Sequence, residues 1–218
     1  MSTAAPDTLG PMYDKIQDEM VGVHANWESY NQLFGTEGRV KLLNRLVPSF
    51  GWIVQRVLRD AVVLGVCRLC DRGKKVTIGE LVESLKIRAR PEELKSLKDQ
   101  MGAITKAIEP LKVHRDECIA HIGKKYVLNS SEVLPEFSRQ TIREALAAMC
   151  KLMGDINDWY LKKETYYVPS MPGDGGGLIH WLQYGERLLE LQDDSWCNRL
   201  NDQQVIEKLR IRMLGEPT

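Results

Sequence analysis

The chain has no excess of charge of either sign: its 218 residues carry 30 Lys and Arg against 30 Asp and Glu. A global field that gathers nucleic acid or an anionic membrane is therefore excluded, and any site for a polyanion must be local. A long apolar run is also missing. The longest, Ala61 to Cys67, falls far short of the ~20 residues that a membrane-crossing helix needs. The opening Met-Ser-Thr-Ala-Ala-Pro-Asp lacks a basic stretch followed by an apolar one, so no secretory signal is expected there. These absences together predict a cytoplasmic protein with no membrane association. The five cysteines, Cys67, Cys70, Cys118, Cys150 and Cys197, are an odd number, and all but Cys197 lie in apolar helical patterns; reduced, mostly buried thiols are expected. No stretch shows the strict alternation of a half-buried strand. There is no internal repeat, no low-complexity tract and no Gly-Lys-Ser/Thr of a phosphate loop.

What is present, with 43% hydrophobic residues, is a helical periodicity of threes and fours in nearly every long segment, enough to supply a core. A first stripe runs Ile16, Met20, Val23, Trp27, Tyr30, Phe34 and stops at Gly35. A second segment, Val47 to Asp71, carries Phe50, Ile53, Val57, Leu58, Ala61 and Leu64 and turns apolar all round from Ala61 to Cys67, which predicts a central helix buried on several sides. After the basic turn Asp71-Arg72-Gly73-Lys74-Lys75, Thr77-Ile78-Gly79-Glu80 has capping-box spacing and opens a short helix to about Leu85. Pro91 suits a first helical turn. From there Leu94, Leu97, Met101, Ile104, Ile108 and Leu111 form a bundle seam whose register continues onto Arg115, Cys118 and Ile122. A cation thus stands where packing would place a leucine, and Pro110 predicts a kink just over one turn earlier.

A further helix starts near Pro135 and carries Ile142, Leu146, Met149, Met153, Ile156 and Tyr160. The fold class is all-α: an antiparallel bundle of about four long helices with additional C-terminal helices. Residues 1–165 form the bundle and 166–177 a Gly/Pro-rich loop. Residues 178–218 form a C-terminal helical extension, amphipathic through Leu178, Trp181, Leu182, Leu188 and Leu189 and weaker over Val205 to Leu214, that packs on the bundle or on a partner subunit.

The segment His114-Arg115-Asp116-Glu117-Cys118-Ile119-Ala120-His121 carries the chemistry. It resembles the signature of HEPN domains, an arginine, a polar residue and a histidine a few positions on, borne late on a long bundle helix. Arg68-Leu69-Cys70-Asp71 followed by Thr77-Ile78-Gly79-Glu80-Leu81 is similar to an abortive-infection branch of the same family. The resemblance covers roughly Phe50 to Tyr126 and implies metal-independent RNA cleavage without a cofactor, in defence or toxin systems. Histidine suits acid/base work because its pKa lies near neutrality, so it can take the 2′-hydroxyl proton or protonate the leaving 5′-oxygen. Arginine suits the phosphate because a planar cation with several donors can hold the charge that develops on it. The resemblance thereby assigns Arg115 as phosphate clamp and His121 as general acid/base.

On a straight helix these two residues stand about 9 Å apart in rise and roughly 120° apart in rotation, so they converge poorly. Either the helix is distorted near Pro110 or two chains assemble one site, and the family's habit of two-fold dimers implies a homodimer. Asp116 stands where asparagine is common, and its charge opposes phosphate unless Arg115 or a lysine pairs with it. His114, two turns before His121, is either a second acid/base or a polar neighbour. Arg68 and Asp71 form a partly buried pair, or one of them supports Arg115.

Blander readings stand beside these. Arg115 can be a cap or bridge within the bundle and His121 a surface histidine, leaving a catalytically silent module that binds a partner protein or RNA, such as a neutralising component. Cys67, Cys70, Cys118 and His121 are a zinc ligand set by type, but buried thiols on helices explain the cysteines more simply and no metal is expected. Pro172-Gly173-Asp174-Gly175-Gly176-Gly177 can cradle an anion or serve as a flexible linker.

Overall fold

The computed structural model describes residues 8–71, 76–120, 136–163 and 174–193. Among them every regular element is helical: α1 (Leu9–Phe34), α2 (Glu37–Leu46), α3 (Pro48–Leu69), α4 (Ile78–Ser84) with a 3-10 turn (Leu85–Ile87), α5 (Pro91–Ala107) and α6 (Glu109–His114). A π-helical turn (Arg115–Ala120) follows, then α7 (Arg139–Ile156) with a second π-helical turn (Asn157–Leu161), and α8 (Asp174–Asp193). The expectation of an all-α fold holds. No helix among the described residues is long and apolar enough to cross a membrane.

The chain divides into two compact units, Met1–Asn31 with Ile53–Pro172 and Gln32–Trp52 with Gly173–Thr218. In the first, side-chain contacts fix the helix directions. Glu19 and Val23 of α1 meet Arg68 and Gly65 of α3, so these two run antiparallel. The same helix opposes α7: Tyr13 donates to the Met153 carbonyl at 3.5 Å, the His24 Nε2 lies 3.2 Å from the Cys150 Sγ, and the Arg139 guanidinium sits over Tyr30. Helices α5 and α7 are antiparallel too, with Gln100 bonded to Asp155 at 2.8 Å and the Tyr160 hydroxyl to Glu93 at 2.6 Å. Glu93 also accepts the Arg90 N–H at 3.2 Å, closing the start of α5 just before Pro91. Its hydrogen bonds from Arg90 and Tyr160 hold the Glu93 carboxyl down at about 2.

The stripe Ile16, Met20, Val23, Trp27, Tyr30 is buried as its period requires. So is the seam Leu97, Ile104, Ile108, Leu111, with Leu94 and Met101 half-buried at its edge. Thr77 caps α4 by accepting the Glu80 N–H at 3.2 Å. Ser138 and Thr141 exchange backbone N–H and hydroxyl bonds, each 3.2 Å, to open α7. The second π turn closes on Lys162 in the left-handed region at φ 52°, held because Asn157 bonds both the N–H and the carbonyl of Lys163.

Helix α3 departs from expectation. A run that is apolar all round does not say which side faces the core, and the stripe Ile53, Val57, Leu64 turns outward, at 51%, 59% and 40% exposure. Val62, Val63, Val66, Cys67, Leu69 and Cys70 supply the buried side instead.

In the second unit, helix α2, which periodicity did not flag, is capped by Thr36 accepting the Arg39 N–H at 3.4 Å. Arg39 donates to the Gln32 carbonyl at 2.7 Å, and Arg45 pairs with Glu186 of α8. Helix α8 opens at Asp174, so the last residues of the expected Gly/Pro-rich loop are helical. Among its described side chains Ile179 is buried, whereas Leu178 and Trp181 are exposed. Pro135, residues 166–173, Cys197 and the Val205 to Leu214 segment lie outside the described residues.

Candidate functional site

The seam helix does break where Pro110 predicts. α5 ends at Ala107, Ile108 adopts φ −90° and ψ 4°, and α6 restarts with Pro110 in its first turn. At Arg115 the chain widens into the π turn, a local distortion that recurs at functional sites. The straight-helix geometry that separated Arg115 from His121 therefore does not apply. His121 itself lies outside the described residues.

Arg115 keeps the seam register and leaves its side chain 20% exposed. Its Nη1 donates to Asp71 Oδ1 at 2.7 Å and its Nε to Asp116 Oδ1 at 2.6 Å. The hydrogen bonds it donates to Asp116 first, and then to Asp71, push the guanidinium further above its ordinary value, so it is a permanent cation. Asp71 follows directly on α3, and Asp116 is the next residue in the π turn. One end of the guanidinium is thus fixed from a distant helix and the other from its own chain. Such a fork-to-carboxylate arrangement orients the planar group.

Arg68 does not join this cluster. It pairs neither with Asp71 nor beside Arg115, but reaches across to Glu19 of α1, with its own side chain two-thirds exposed. The reason is the rotation of α3: Asp71 lies past the helix end and swings toward Arg115, while Arg68 follows Leu64 onto the outward stripe.

The chain matches the HEPN AbiU2 family model over residues 7–166. It belongs to the AbiU2 family of HEPN domains. No curated protein and no solved structure matches it. An abortive-infection type of HEPN module is thereby shown, and Arg115, held by two carboxylates, lies within the matched residues.

Around the motif of this AbiU2-family chain, the buried cysteines are inert. Burial pushes the Cys67 and Cys70 thiols up to about 12, against the opposing pull of Arg115 on Cys67 and Lys112 on Cys70. Cys118 is exposed. Among the described residues no group of three His, Cys, Asp or Glu side chains is arranged to hold a metal. The glycine segment is not open to an anion at Gly175, whose N–H donates to Gln32 Oε1 at 3.0 Å and whose missing Cβ would come within 2.8 Å of Gln32 Cβ.

His114 points away from Arg115, as neighbours on a helix must. Its ring packs edge-on against Phe137, centroids 5.0 Å apart, and faces a cavity of about 340 Å³ also lined by Trp27, Tyr30, Arg59 and Arg139. Burial, and then the cation of Arg59, lower its pKa, so the ring is held neutral. Apart from His114, sequence reasoning did not find this group. Trp27 and Tyr30 read as core, and nothing in the spacing joins α1, α3, α6 and α7.

A larger cavity of about 690 Å³ opens on the other side, bordered by Asp71, Glu80, Glu83, Lys98, Lys106 and Glu109 among others. Its mixed and mainly acidic border does not suit a polyanion.

Proposed function

We propose that this chain is a metal-independent endoribonuclease of the HEPN type, acting in a defence or toxin system, with Arg115 holding the scissile phosphate and His121 moving the proton. The observation that carries this reading is the oriented guanidinium at a π turn inside the family's motif. In the proposed reaction the 2′-oxygen attacks phosphorus and loses its proton, the bond from phosphorus to the 5′-oxygen breaks, and the leaving oxygen is protonated. A cyclic phosphate and a 5′-hydroxyl end result. A fixed cation lowers the barrier by meeting the charge that builds on the phosphoryl oxygens. RNA is the partner, and a second copy of the chain completes the site. The outward stripe Ile53, Val57, Leu64 on α3 supports that assembly, because an exposed apolar row at helical spacing is suited to a self-complementary contact.

A second reading has its own observation. Arg115 is already paired with two carboxylates, which favours a catalytically silent module that binds RNA or a neutralising protein partner. The test is to incubate wild type, Arg115→Ala and His121→Ala with mixed RNA in excess chelator and follow fragment ends. Acid/base groups contribute about 10²–10⁴-fold and lost oxyanion-type donors about 10²–10³-fold. Both variants should therefore lose most cleavage while keeping their helical circular dichroism. Cleavage that persists in both, or that chelator abolishes in wild type, overturns the nuclease reading, and no cleavage by any of the three favours the silent module.

A further inference from the structure

The cavity behind His114 has the makings of a ligand site that the catalytic reading does not use. At about 340 Å³ it lies at the small end of the ~300–1,000 Å³ range of ligand pockets, sized for one modest ligand. Its wall is aromatic: Trp27 and Tyr30 stack with centroids 5.7 Å apart and planes 7° apart, and Phe137 closes on the His114 ring. Two arginines, Arg59 and Arg139, line it. Arg139 lies with its guanidinium carbon 5.5 Å from the Tyr30 ring centroid, at the exposed start of α7. Arg59 is more than two-fifths exposed, and its hydrogen bonds to the adjacent Asp60 are long, 3.2 Å from both nitrogens. Among the described residues, Glu136 is the carboxylate lining the cavity, exposed at its border.

One of its lining residues carries a polar atom without a partner. The Nε2 of His114 has no exposed surface and no hydrogen bond, an arrangement that proteins avoid because a buried polar group loses its water without recompense. Since the ring is kept neutral, Nε2 can donate or accept according to tautomer, which suits the edge of a nucleobase better than a bare anion. Aromatic walls that meet a planar base, with arginines for the phosphate, are the usual equipment for single-stranded nucleic acid.

We infer that this cavity is a subsite for one ribonucleotide of an RNA strand, its base seated against the aromatic wall with the His114 ring turned to bring Nε2 to its edge, and its phosphate held by Arg59 and Arg139. The RNA strand, as opposed to a lone nucleotide, rests on the nuclease reading above. His114 directly precedes Arg115, so their Cα atoms are about 3.8 Å apart and their side chains diverge. A strand that crosses the backbone here can meet Arg115 with its scissile phosphate on one side and reach this cavity with a nearby nucleotide on the other. The subsite then selects which base lies near the cleaved bond.

The test uses the full chain and each of the four ribonucleoside 3′-monophosphates, with inorganic phosphate and the unphosphorylated nucleosides as controls. Binding is read by calorimetry and by the side-chain nitrogen resonances of His114. At least one nucleotide should bind at a single site and shift the Nε2 resonance. Phosphate alone and nucleoside alone should each bind at least tenfold more weakly. Arg59→Gln and Arg139→Gln, at a half-buried and an exposed position, should weaken nucleotide binding fivefold or more with little change in melting temperature, while Arg115→Ala leaves it intact. Phosphate binding as tightly as the nucleotide, or no effect of either arginine variant, overturns the subsite. So does the absence of nucleotide binding together with RNA cleavage whose KM and base preference are unchanged in Arg59→Gln. If nucleotides bind as described but RNA is never cleaved, the subsite stands and the nuclease reading falls.

Discussion

Arg115 is held from two directions, and its two carboxylates differ in what they do. Asp71 comes from the end of α3, is a quarter exposed and fixes Nη1. Asp116 is more than half exposed and takes Nε from the adjacent position. On the proposed nuclease reading, the first positions the guanidinium and the second competes with a phosphate for it. Asp71→Asn should therefore lower kcat for RNA about tenfold or more, as misplacing a clamp by an ångström can, with little change in melting temperature. Asp116→Asn should lower KM several-fold by removing a negative charge from the phosphate's path. Steady-state cleavage of a defined oligoribonucleotide measures both. A Asp71→Asn protein as fast as wild type would make Asp71 a counter-ion and not a positioning residue.

The helices divide into those whose packing the sequence declares and those whose packing it leaves open. The seam of α5 and α6 declares itself because one face alone is apolar, and it led directly to Arg115. Ile104, 2% exposed in that seam, should cost roughly 2–5 kcal/mol when cut to alanine, measured by urea unfolding; a loss below about 0.5 kcal/mol would place it on the surface. On α3 the apolar residues surround the helix, so periodicity could not say that Ile53, Val57 and Leu64 face outward. That Asp71 and not Arg68 meets Arg115 depended on the same rotation and was equally hidden. The His114 cavity was illegible for another reason, since its walls come from four segments far apart in sequence. Glycines show the same contrast between neighbours and open space. A Cβ on Gly65 would collide with the stiff β-branched side chain of Val23, whereas one on Gly102 meets nothing within 4 Å. Gly65→Ala should thus destabilise by about 1–3 kcal/mol, and Gly102→Ala, mid-helix and exposed, should stabilise by up to about 1 kcal/mol. Thermal unfolding of the two variants side by side checks the pair, and equal shifts would contradict the close approach of α1 and α3.

At the scale of the whole molecule, the proposed second copy on the outward stripe of α3 would tie folding to mass action. Seated on Ile53, Val57 and Leu64, that copy would bind the folded chain and not the unfolded one, so its contribution to stability would grow with the logarithm of protein concentration. The melting temperature should rise by a few degrees between about 1 and 100 µM, and Val57→Asp, at a position already 59% exposed, should remove that dependence while leaving the dilute melting temperature unchanged. A melting temperature independent of concentration in wild type would mean that the chain works alone. With the dependence present, a cell holding few copies would contain mostly incomplete sites, and activity would climb as the square of expression at low abundance. A defence protein built this way stays quiet when scarce and becomes dangerous only once it accumulates.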